Sequence, residues 1–162
     1  TYPILALSFF NLIPSCTDCN RTLKKNKKFS ISTHIHPYSE GLNQYTQFNF
    51  KIKCATFYQN KENIEIIINT TDARAEATVC DLRLREIYNQ GYKHIVLELV
   101  QKSQIYCGSY IDELFERYYG TIFSSRKELL ILITGAEMEP ENIGKRPLNK
   151  LIQDISSVLE LR

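Results

Sequence analysis

The chain has 162 residues, 43% of them hydrophobic and 23% charged, with a formal net charge of +2; this is enough for one domain with a real core and too apolar for a disordered tail or a fibre. Its longest apolar stretches, residues 4–10 and 129–133, fall well short of the roughly 18 residues that a membrane-spanning helix requires. So small a positive charge leaves any nucleic-acid contact to local patches rather than to the whole surface.

The chain opens at Thr1 without an initiator Met and runs straight into an apolar stretch, residues 2–12, that reads as a β-strand. We expect a domain cut from a longer protein. Next comes Cys16-Thr17-Asp18-Cys19, a chelating pair, then a hairpin-like stretch crowded with Arg21, Lys24, Lys25, Lys27 and Lys28, and then His34-Ile35-His36. Two thiolates and two imidazoles make a tetrahedral zinc set, and in an extended strand His34 and His36 point to the same side. The spacing predicts one structural zinc ion in a ribbon at about residues 14–47, held by Cys16 and Cys19 with one or both of His34 and His36; the competing reading is a metal-free loop.

Further along, Phe48, Phe50, Ile52 and Cys54 alternate with polar residues, and residues 64–68 form a β-branched run closed by Asn69, Thr70, Thr71 and Asp72. Lys51 and Lys53 share one strand face near Phe57 and Tyr58. Together with Lys24, Lys25, Lys27 and Lys28 they are candidates for tracking a phosphate backbone and stacking bases, against the plain reading of solvated lysines and core aromatics. Residues 74–81, 92–100 and 129–134 are also read as strands, for a sheet of about six.

Two helices are predicted. In residues 109–119, Ser109 is the N-cap, Asp112 and Glu113 lie in the first turn, and Ile111, Leu114, Phe115 and Tyr118 form a stripe that Gly120 ends. The second starts at Pro147 and carries Leu148, Leu151, Ile152, Ile155, Val158 and Leu159 at helical spacing, after a loop at 137–146 that lets it stand off the body. Five cysteines, an odd number with only one close pair, are not a disulfide framework and indicate a reducing compartment. A catalytic metal at His34 and His36 lacks neighbouring ligands, the only other histidine being His94. Cys80 and Cys107 are the only thiols to set beside His94, and Cys80 reads as core.

The order of these motifs along the whole chain resembles one family: an apolar strand entering Cys16-Thr17-Asp18-Cys19-Asn20, a basic hairpin, Phe48-Asn49-Phe50-Lys51-Ile52, then Asn69-Thr70-Thr71-Asp72-Ala73-Arg74-Ala75-Glu76-Ala77. It is similar to the C-terminal OB-fold domain of the replication protein A large subunit and its relatives in the CST and telomerase-associated complexes. The resemblance implies a mostly β fold with helices: a single domain, residues 1–162, built as a five- to six-stranded OB-fold barrel with an inserted zinc ribbon and a C-terminal amphipathic helix at about 147–161. It implies a nuclear, telomeric or replicative assembly module without catalysis, in which Leu148, Leu151, Ile152, Ile155, Val158 and Leu159 pack against smaller OB-fold subunits of a heterotrimer. The alternatives are that this stripe covers its own barrel, that the domain itself binds single-stranded DNA, or that it is a small zinc hydrolase. Two departures stand out: His34 and His36 occupy the place of a second Cys pair, and residues 83–108 hold more strand-like material than a minimal barrel needs.

Overall fold

Two β-strands follow the period of two that the sequence displays. In the computed structural model, which describes residues 15, 17–58, 60–137 and 139–161, β1 (Thr46–Ile52) buries Thr46 and Phe48, and β2 (Ile64–Thr70) buries Ile64, Ile66 and Ile68. They pair antiparallel as an open sheet, with Lys53 N–H donating to Asn63 O (2.7 Å) where the pair ends. A two-stranded sheet has two unpaired edges, and side chains occupy both. The Asn89 amide accepts from Ile66 N (2.9 Å) and donates to Ile66 O (2.7 Å), while Asp154 accepts from Phe48 N (2.8 Å).

Everything else of regular structure among the described residues is helical, and this overturns the expected OB-fold barrel: the protein is 56% helical, with two strands where five or six were predicted. Six α-helices follow the sheet, α1 (Ala73–Asp81), α2 (Leu84–Gly91), α3 (Lys93–Ile105), α4 (Gly108–Tyr118), α5 (Arg126–Thr134) and α6 (Asn149–Val158). Three of them replace predicted strands. At 74–81 the alternation of small and polar residues is incidental: Ala75, Thr78 and Val79 are the buried positions, spaced i, i+3, i+4, and Asp72 caps the helix by accepting from Arg74 N (2.7 Å). At 92–100 the same spacing recurs in Val96, Leu99 and Val100. At 129–134 the apolar run is a helix because Ser125 caps its start and Gly135, at φ +80°, ends it by donating to Ile131 O (2.8 Å). The predicted ribbon hairpin is replaced too, by a π-helical turn at Asp18–Lys24 and a succession of tight turns. Residues 2–12 lie outside the described residues.

Contacts group the chain into two compact units, the first taking the described residues up to Thr46 with Thr70–Ile87, the second Gln47–Asn69 with the residues from Tyr88 onward. In the second unit α3 packs on α5 and α6, and Ile111, Phe123, Leu129, Leu130 and Ile133 form one buried cluster. The C-terminal helix belongs to this core. Leu151 and Ile155 are wholly buried, Leu148, Ile152 and Leu159 are half-buried, and Val158 is exposed. Nor does the 137–146 loop let α6 stand off: Asn149 accepts from Glu137 N (2.8 Å) and donates to Glu137 O and Asn142 O, and Gln153 donates to Glu137 O and Glu139 O. The centre of the stripe, Leu151 and Ile155, is therefore taken up by the chain's own packing. The helix starts at Asn149, two residues after Pro147, because Leu148 at φ 57° is left-handed.

Candidate nucleic-acid interface

Within the first unit, α1 is the platform on which the basic segment is laid. Thr78 donates to Arg74 O (2.8 Å) along its own helix, and its oxygen accepts from Ile35 N (3.1 Å), so the chain at residue 35 is pinned to the middle of α1. One turn on, Asp81 receives two groups. Its Oδ2 lies 3.2 Å from His34 Nε2 and its Oδ1 accepts from Lys27 Nζ at 2.5 Å. The Lys27 ammonium, then the His34 imidazole, hold the Asp81 carboxyl below its ordinary range. His34 is buried, stacked on Phe29 at 3.8 Å with the rings 8° from parallel, and its Nδ1 is 2.8 Å from the Thr33 hydroxyl. At the other end of α1, Arg74 forks onto Glu40 (2.6 and 3.0 Å) and reaches Asp72 (3.2 Å), and Tyr45 donates to Glu40 (2.6 Å). Arg74 first, then Tyr45, depress the Glu40 carboxyl.

This clamp has a chemical consequence for the lysines it carries. Lys27 is spent on Asp81, whereas Arg21, Lys24, Lys25 and Lys28 form no ion pair among the described residues. Arg21, Lys25 and Lys28 are exposed; Lys24 is half-buried, with its ammonium 5.6 Å from the centre of the Phe29 ring. Lys25 has φ 48°, a left-handed conformation that favours glycine, and there the backbone turns sharply out of the π-helical segment. Apolar and aromatic surface lies in the same segment: Ile31 is 64% and Tyr38 58% exposed, and the His36 and Tyr38 rings are 5.9 Å apart. Cations with no carboxylate partner among the described residues, carried on the same segment as an exposed ring, can meet phosphates and bases together.

Of the other predicted nucleic-acid residues, Lys51, Lys53, Phe57 and Tyr58 fall in the second unit. Phe57 is buried with its ring 3.9 Å from that of Tyr58, and Lys53 pairs with Glu65 (3.1 Å); Lys51 and Tyr58 are exposed. Among the predicted zinc ligands, Cys16 lies outside the described residues, Cys19 and His36 are half-buried, and His34 has both ring nitrogens within reach of Thr33 and Asp81. No three His, Cys, Asp or Glu side chains among the described residues gather where a metal ion would sit. The alternation in residues 74–81 predicts a strand, which hides Thr78 and Asp81 as anchors; the Asp72 cap and the Ala-rich run after it are the signal in the sequence that marks the helix.

Comparison of the chain with protein-family models, with curated proteins and with solved structures gives no match.

Proposed function

We propose that the first unit binds single-stranded nucleic acid through the segment from Arg21 to Tyr38, as a binding module rather than an enzyme. The observation that carries this reading is the clamp itself. Asp81 and Thr78 fix the segment in place, yet Arg21, Lys24, Lys25 and Lys28 have no carboxylate partner among the described residues. A rigid display of unneutralised cations binds phosphates with little ordering cost, and released counterions supply the affinity. The exposed Tyr38 ring favours unpaired bases over a duplex, whose base faces are stacked inside. The assembly reading is the weaker one, because Leu151 and Ile155, the centre of the stripe on which it depended, are wholly buried.

The test is fluorescence anisotropy with a labelled single-stranded oligonucleotide across a salt series. Binding is expected to weaken steeply with salt. The variant K24E/K25E/K28E is expected to lose about tenfold or more in affinity and to flatten the slope of log K against log salt by about 2, at roughly 0.7 per phosphate contact on single strands. Equal affinity of variant and wild type, or a preference for duplex, rejects the proposal.

A further inference from the structure

In the second unit, helix α5 keeps an outer face that the core does not use. Its residues Glu128, Ile131 and Leu132 and the capping Gly135, spaced i, i+3, i+4, i+7, line a shallow groove with Ile122 and Arg146. Leu132 is 69% exposed, the highest value for a large apolar side chain among the described residues, and Ile122 is 63% exposed. Two such side chains side by side in water are an unsatisfied apolar patch.

The charges on this face are arranged in order along the helix. Glu128 sits at the N-terminal end, where it accepts from Ser124 N (2.7 Å) and has no ion pair among the described residues. Arg146 sits at the C-terminal end, donating to Gly135 O (3.3 Å) and making a long ion pair with Glu137 (3.6 Å). The stripe therefore reads carboxylate, apolar, apolar, guanidinium. Such a stripe is complementary to itself when turned end for end. A two-fold axis through Leu132 lays Leu132 and Ile122 of one copy on those of the other and brings each Glu128 to the other copy's Arg146. Antiparallel helices also set opposite dipole ends together, and Gly135, without a side chain, permits close approach at the ends of the contact.

The geometry points to a homodimer of this chain formed through antiparallel α5 helices. The area is small, so the association belongs to the weak class of interfaces. Sedimentation equilibrium of the full chain tests it, run up to about 1 mM, with circular dichroism to verify that each variant is folded. Wild type is expected to show a monomer–dimer equilibrium. L132D, a change at an exposed position, is expected to abolish it. The single variants E128R and R146E are each expected to weaken dimerisation about tenfold or more, and the double variant E128R/R146E to restore it, because the swap recreates both pairs across the axis. A monomer at every concentration overturns the proposal, as does a dimer that L132D leaves unchanged or a double variant no better than the singles.

Discussion

At the scale of single residues, the buried polar side chains among the described residues are almost all accounted for, and the exception is informative. Asn149, 1% exposed, uses both ends of its amide on the backbone of the loop before α6. Ser156, equally buried on the same helix, has a hydroxyl with no partner among the described residues. A buried hydroxyl without a hydrogen bond costs about 1–3 kcal/mol, and Ala is also the better helix former. Ser156→Ala is therefore expected to stabilise the protein by about 1 kcal/mol, read as a higher urea midpoint at unchanged slope. A lower midpoint would mean that the hydroxyl finds a partner in solution. Leu151, wholly buried on the same helix, is the contrast: Leu151→Ala is a cavity mutation in the class that costs about 2–5 kcal/mol.

At the scale of elements, one carboxylate ties three of them together. Glu76 on α1 receives both guanidinium nitrogens of Arg85 from α2 (2.8 Å each) and the hydroxyl of Thr70 from the end of β2 (2.7 Å). Arg85 first, then Thr70 and the Cys80 thiol, lower the Glu76 carboxyl from 4.5 to about 2. A folded-state value below the unfolded one gives stability that is fully present above pH 4.5 and is lost as pH falls toward 2. Glu76→Gln removes the carboxylate at every pH. Wild type is thus expected to melt above E76Q at neutral pH, with the gap closing as the solution is acidified through that window. A gap that stays constant or widens on acidification would show that the Glu76 charge is not what joins α1, α2 and β2. Half-exposure of this side chain keeps the effect modest, since water screens the pair.

For the whole molecule the decisive observable is secondary-structure content. A chain that is 56% helical, with one two-stranded sheet among the described residues, is expected to give the double-minimum far-ultraviolet circular dichroism of an α-rich protein; the weak single minimum of a β-barrel would reverse the fold assignment. The two proposed surfaces lie in different units, the basic segment in the first and the α5 face in the second. They are separable by mutation. K24E/K25E/K28E is expected to leave dimerisation intact, and L132D to leave nucleic-acid binding by each monomer intact.

The sequence by itself determined β1, β2 and α4 closely, the basic run, and the C-terminal helix with its apolar spacing, since each rests on a period or a composition that local chemistry enforces. What it did not determine was whether 74–81, 92–100 and 129–134 are strands or helices. Short apolar or alternating runs satisfy both periods, and only the buried set, Ala75 with Val79 or Val96 with Val100, distinguishes them. Capping residues such as Asp72, Ser125 and Gly135 carried that information locally and were outweighed by β-branched content. Function followed the same division. The lysines at 24, 25, 27 and 28 are visible in the sequence as a cluster, but which of them is neutralised depends on Asp81, 54 positions from Lys27, and only folding brings that carboxylate to it. The stripe of α6 was equally legible, while its destination was not: an amphipathic helix must bury its apolar face, and only the tertiary structure places the centre of that face, Leu151 and Ile155, inside the chain.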